Sequence, residues 1–183
     1  MHPFSKKVVS NGLEFHYLEW GNNNCETILL LHGIGQQSHT WDFISLALAS
    51  KYRVIALDAR GHGDSEWAPN GDYSMEAYQQ DLYCFVDAIR LDKFILMGHS
   101  MGGKTAYIFA SRSPAKVKTL VIVDTGPTNN SRSANRISTF MRLPDVLDSY
   151  EEFVSRVALY TGRPHDMVRG SLKHSLMKRT DCR

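Results

Sequence analysis

The chain has no long hydrophobic run. Its longest apolar stretches are strand-sized, whereas a membrane-spanning helix needs about 20 apolar residues in succession, so membrane insertion is not expected. It lacks an excess of either charge. Twenty-one Lys and Arg against 19 Asp and Glu leave a formal net charge of +2, too small a field to imply a nucleic-acid or membrane-surface partner. It is poor in cysteine: Cys25, Cys84 and Cys182 are odd in number and far apart. No Cys-x-x-Cys or Cys/His spacing occurs, so neither a disulfide framework, nor a metal site, nor any cofactor is expected. Reduced thiols in a cytoplasmic setting are the simplest expectation. Residues 1–7 have no apolar segment behind them and do not read as a secretory signal. Repeats and low-complexity tracts are absent.

What is present is ordinary globular material: 183 residues, 43% hydrophobic and 22% charged, enough for a real core. Lys7–Val9 and Leu13–Leu18, separated by Ser10-Asn11-Gly12, predict an antiparallel hairpin. Thr27–Leu31, Tyr52–Leu57, Phe94–Gly98 and Val117–Val123 are short apolar runs that predict strands buried on both faces. Helices are predicted over about 41–49, from Ser74 as N-cap to about Ile89, and from the end of the third run to Arg112, where Pro114 stops the helix. Alternating strands and helices predict an α/β fold, a mostly parallel sheet with helices on both faces. After Pro127 the pattern changes. Residues 128–136 are polar and loop-like, Ser149–Glu152 is a capping box, Gly162 ends one helix and Pro164 begins another. Residues 1–127 therefore read as the sheet-bearing core and 128–183 as a helical segment.

In such sheets ligands bind beyond the carboxyl ends of the strands. The unusual sequences lie at those ends: His32-Gly33-Ile34-Gly35, Asp58 to Ser65, Gly98-His99-Ser100-Met101-Gly102-Gly103, and Asp124 to Pro127. Gly-His-Ser-Met-Gly between a buried strand and a helix is a Gly-x-Ser-x-Gly nucleophile elbow. It thrusts the serine hydroxyl out at a sharp strained turn, with Gly98 and Gly102 beside it because a Cβ would clash. Backbone N–H groups at the helix start face a developing negative charge. Asp58 and Arg60 are placed to form an ion pair that fixes their loop.

The four segments, in this order, resemble the α/β-hydrolase superfamily, and Met101-Gly102-Gly103-Lys104-Thr105-Ala106 with the later Val-Asp-x-x-Pro is most similar to its carboxylesterase/thioesterase-like branch. The resemblance covers residues 8–127, and residues 128–183 match the start of the family's helical cap. It implies Ser100 as nucleophile, with the N–H groups of Ile34 and Met101 as the oxyanion hole. Asp124 has two readings: triad acid, or a loop carboxylate shaping the cap hinge. The family's histidine follows the last strand beyond the cap. By this resemblance the chain is expected to end inside the cap, and none of its eight histidines is expected to occupy that place. His99 is expected to point away from Ser100, His32 and His62 to serve packing or loop bonding, and His165 and His174 to face solvent.

The reading is a serine hydrolase of small or medium acyl substrates, esters or thioesters. A serine where other branches carry aspartate argues against epoxide hydrolase or haloalkane dehalogenase chemistry. Three alternatives stand beside it. One is an inactive fragment lacking the triad histidine, with Val117–Val123 left as an open edge. The others are a carbon–carbon bond hydrolase using the same serine, and a non-catalytic binding protein on the same fold. Substrate identity and oligomeric state are not legible.

Overall fold

A computed structural model describes residues 2–126, 147 and 149–174. The expectations for Pro127, the polar stretch 128–136, Leu176 and Cys182 lie outside the described residues. The chain divides into two compact units, Met1–Pro127 and Thr128–Arg183.

The first unit holds six strands: β1 (Phe4–Ser10), β2 (Leu13–Trp20), β3 (Thr27–Leu31), β4 (Arg53–Leu57), β5 (Phe94–His99) and β6 (Val117–Val123). Its helices are α1 (Asp42–Leu48), entered through a 3-10 turn Ser38–Trp41, then α2 (Met75–Ala88) and α3 (Met101–Arg112). The sheet order is β1-β2-β4-β3-β5-β6. β1, β2 and β4 pair antiparallel, and β4, β3, β5 and β6 run parallel. The β1–β2 turn works because Asn11 (φ 48°) and Gly12 (φ 77°) both take the left-handed conformation a two-residue hairpin demands.

β3 is central and wholly buried, and its residues divide between two cores. Leu29 and Leu31 join Phe15, Ile55, Phe94 and Leu96 under Leu82, Phe85, Ala106 and Phe109 of α2 and α3. Ile28 and Leu30 join Trp20, Val54 and Ala56 against Trp41 and Leu48. This period-two division of one strand puts helices on both faces of the sheet. Ser74 caps α2 by accepting from Ala77 N–H at 3.2 Å.

Two expectations are corrected. β6 is not buried: Lys118, Thr119, Leu120 and Val123 are exposed and the rest are half-buried. Among the described residues it is the outermost strand, bonded in the sheet only to β5, although its apolar run looks central in sequence. Asp58 and Arg60 do not pair. Arg60 reaches α2, with Nε and Nη2 donating to the two oxygens of Asp81 at 2.5 and 2.6 Å. Asp58 turns inward and accepts from Ser38 N–H at 2.5 Å and Asp64 N–H at 3.1 Å, with His16 Nδ1 at 2.7 Å.

The second unit contains α4 (Tyr150–Thr161) and α5 (His165–Leu172). Val154, Ala158 and Val168 are buried between them. Ser149 Oγ accepts from Glu152 N–H, and Gly162 closes α4 in the left-handed conformation (φ 68°). Arg169 grips Glu151 through two bonds at 2.7 and 2.9 Å. No helix among the described residues is long and apolar enough to cross a membrane.

Candidate active site

β5 delivers the chain into Ser100, which takes φ 51°, ψ −112° and starts α3 one residue later. A residue with a Cβ rarely tolerates that conformation; it is held because its surroundings over-determine it. Ser100 N–H donates to Val123 O at 3.1 Å, and Ser100 O accepts from Thr125 Oγ1 at 2.8 Å and Lys104 N–H at 3.0 Å. The glycines are required by space. A Cβ on Gly98 would lie 2.3 Å from Gly102 O, and one on Gly103 would lie 2.9 Å from Thr125 Oγ1. At Gly102 the obstacle is β3, not the turn itself: a Cβ would lie 2.4 Å from Leu31 O and 2.6 Å from His32 O.

The turn after β3 is welded to this elbow. Gly102 N–H donates to His32 O at 3.1 Å, and Gln36 Oε1 accepts from Gly33 N–H at 2.9 Å. Met101 and Ile34 therefore sit on adjoining turns. Among the described residues, no acceptor lies on the N–H of either one. Beneath the elbow, a cavity of about 30 Å³ is bordered by His32, Tyr78, Asp81, Met101 and Thr105. It has room for about one water.

Asp124 follows β6 with φ 50° and a side chain 90% exposed. Its Oδ2 lies 3.9 Å from His99 Nε2. This is an open carboxylate beside an imidazole, unlike the buried acid that orients a triad histidine.

Of the six histidines in the first unit, none bonds the Ser100 hydroxyl. His16 is buried between Asp58 and Ser5 Oγ, the latter 2.9 Å from Nε2. Burial would raise the Asp58 carboxyl, but the bonds from His16, Ser38 and Asp64 outweigh it and hold the group below its usual range. His39 lies 3.0 Å from Asp42, and His62 bonds the Arg60 carbonyl at 2.9 Å. His32 Nδ1–H donates to Gly33 O at 2.8 Å, and its Nε2 accepts from Ala59 N–H at 3.0 Å, so its one lone pair is taken. His99 points its Nδ1 at Gln36 Oε1, 2.9 Å away.

Burial, reinforced by nearby His62, pushes the His32 imidazole down to about 4. Between about pH 6.5 and 4 the unfolded chain takes up a proton that the folded ring refuses. Stability is therefore expected to fall as pH drops through that window, by up to about 3 kcal/mol from this group. The depressed Asp58 carboxyl acts lower, losing its contribution only as pH falls below its unfolded value near 3.8. Urea melts across pH 4 to 7 check this. His32→Gln, which keeps an acceptor for Ala59 N–H, is expected to flatten the slope; an unchanged slope contradicts the assignment.

Sequence reading did not find Gln36 or Thr125. Gln36 is 63 residues from His99 and belongs to no motif. Thr125 followed the strand end, but nothing in its position signals a bond to the Ser100 carbonyl.

The model of the alpha/beta hydrolase fold family matches residues 26–180. N-formylmaleamate deformylase of Pseudomonas putida is 34% identical over 145 residues, covering 79% of this chain and 52% of the relative. Human epoxide hydrolase 4 is 32% identical over 120 residues, covering 64% of this chain and 33% of the relative. An alpha/beta hydrolase from Novosphingobium aromaticivorans superposes with a TM-score of 0.85 at 22% identity, covering 95% of this chain and 64% of that one. The chain thus spans about half or less of the length of the curated relatives it matches. With the family model matching most of its length and the strained serine at the strand–helix junction, the chain belongs to the alpha/beta hydrolase fold family.

Proposed function

We propose that Ser100 is the nucleophile of a serine hydrolase acting on small acyl substrates, esters or thioesters, through an acyl-enzyme. The observation that carries this reading is the Ser100 backbone, held at φ 51°, ψ −112° beside two N–H groups that have no acceptor among the described residues. Attack by Oγ on a carbonyl, with the hydroxyl proton passing to a base from solution, produces a tetrahedral oxyanion. Ile34 and Met101 N–H are the donors for it, each well-aligned donor being worth roughly 3 kcal/mol of barrier. Asp124 is the candidate acid of this reading, its carboxylate at the end of β6 and 3.9 Å from His99 Nε2. Collapse of the intermediate expels the leaving group, and water then cleaves the acyl-serine.

Chemistry separates this from epoxide opening. Serine adding to an epoxide would leave an ether, which water does not readily cleave; serine adding to an acyl carbon leaves a hydrolysable ester. A deformylase among the relatives, whose name denotes removal of a formyl group, is consistent with acyl chemistry.

A fluorophosphonate probe tests the reading. Labelling is expected on the peptide carrying Ser100 and is expected to vanish in Ser100→Ala. Because no histidine of the first unit bonds this hydroxyl, added imidazole is expected to accelerate labelling by supplying a base. Labelling that survives Ser100→Ala, or none at all with imidazole present, contradicts the proposal.

A further inference from the structure

Gln36 joins the two turns that carry the proposed oxyanion donors. Its side-chain oxygen lies 2.9 Å from Gly33 N and 2.9 Å from His99 Nδ1. A backbone N–H only donates, so the atom facing Gly33 is the carboxamide oxygen. That oxygen only accepts, so His99 Nδ1 carries a hydrogen. In the neutral ring Nε2 is then bare, and it is the nitrogen that faces Asp124 at 3.9 Å. The approach is close: a Cβ on Gly33 would lie 2.8 Å from His99 Nδ1 and 3.0 Å from Gln36 Oε1. Only a glycine lets the imidazole and the carboxamide meet over the turn.

The positions of these anchors matter. Gly33, held by Gln36, immediately precedes Ile34. His99, held by the same oxygen, immediately precedes Ser100, and Met101 follows it. The other fastening between the turns is Gly102 N–H to His32 O at 3.1 Å. One bond fixes the turns at Gly102. The bridge through Gln36 fixes them on the opposite side of Ser100, so both the separation and the tilt of the Ile34 and Met101 N–H groups are set.

We propose that Gln36 is a positioning residue of the hydrolytic site, clamping the oxyanion turn to the elbow and holding His99 in the Nδ1–H form. This rests on the Ser100 reading for its catalytic meaning, but the clamp itself has a separate spectroscopic signature. An unconstrained histidine side chain favours the Nε2–H form, so the Nδ1–H form marks the clamp.

The test uses the 183-residue chain and two substitutions at this half-buried position. Long-range ¹H–¹⁵N correlation spectra are expected to show neutral His99 as Nδ1–H in the wild type and as Nε2–H in Gln36→Leu. Fluorophosphonate labelling of Ser100 is expected to slow by about 10- to 100-fold in Gln36→Leu, the scale of a displaced reactive geometry. Gln36→Glu, which keeps an oxygen acceptor for both partners, is expected to retain most of the rate. Thermal melts close to wild type show that neither variant acts by unfolding. An Nε2–H ring in the wild type overturns the clamp. Wild-type labelling that is unchanged in Gln36→Leu, or equally slow in Gln36→Glu, overturns the positioning role. If wild-type Ser100 does not label, the hydrolase reading fails, and the His99 spectrum alone decides for or against the clamp.

Discussion

Gly102→Ala is expected to cost about 3 kcal/mol or more of stability and to slow labelling of Ser100 by about 100-fold. The added methyl would lie 2.4 Å from Leu31 O and 2.6 Å from His32 O. Both obstacles are backbone, so no side chain can rotate away. The end of β3 cannot give either, because β3 is bonded in parallel to β4 on one side and β5 on the other. Relief has to come from moving the first turn of α3 away from the sheet. That movement breaks Gly102 N–H to His32 O and carries Met101 N–H with it. Urea melts and probe labelling measure the two consequences. A stable Gly102→Ala chain that labels at the wild-type rate would show that the elbow does not depend on this close approach.

The second large effect concerns the pair that the sequence concealed. Asp81→Ala is expected to destabilise the chain by about 3–5 kcal/mol. Arg60 and Asp81 are 6% and 3% exposed, and the guanidinium grips both carboxylate oxygens. Asn11 Nδ2 donates to the same carboxylate at 2.8 Å, tying the β1–β2 turn to α2. Removing the carboxylate leaves a buried cation whose remaining partner is the Asp72 carbonyl at 2.8 Å. The cost comes from that stranded charge, not from the worth of the pair. Replacing both partners by apolar residues, as in Arg60→Met with Asp81→Leu, is therefore expected to recover much of the loss. The exposed Arg169–Glu151 pair has similar geometry, yet Glu151→Ala is expected to cost far less than Asp81→Ala, because both groups stay solvated. Urea melts of the three variants decide it; an Asp81→Ala cost equal to that of Glu151→Ala would refute the stranded-charge argument.

These two sites show what a sequence reveals and what it conceals. Asn11-Gly12 predicts its hairpin because two adjacent left-handed residues have few other uses. Gly-His-Ser-Met-Gly predicts its elbow because each constraint is local: strand, strained serine, helix. Thr27–Leu31 and Val117–Val123 look alike in composition, yet among the described residues one is central and the other outermost, since neighbours in a sheet are chosen by topology and not by the strand itself. Asp58 and Arg60 are two residues apart and look like partners. They diverge because each finds a better partner across space, Asp58 in His16 and Ser38, Arg60 in Asp81. Gln36 carries no motif at all; its role arises only when β3 and β5 lie side by side.

The same limit applies to the chemistry. The serine and its two candidate donors follow from local pattern, whereas the exposure of Asp124 and the occupied lone pair of His32 emerge only from the fold. The central claim is that Ser100 attacks an acyl carbon and holds the acyl group. Intact-mass analysis after exposure to an activated aryl acetate, followed by peptide mapping, measures that directly. The expected result is one acetyl group on the peptide carrying Ser100, removed by hydroxylamine and absent from Ser100→Ala. An unmodified chain, or an acetyl group that persists in Ser100→Ala, contradicts it.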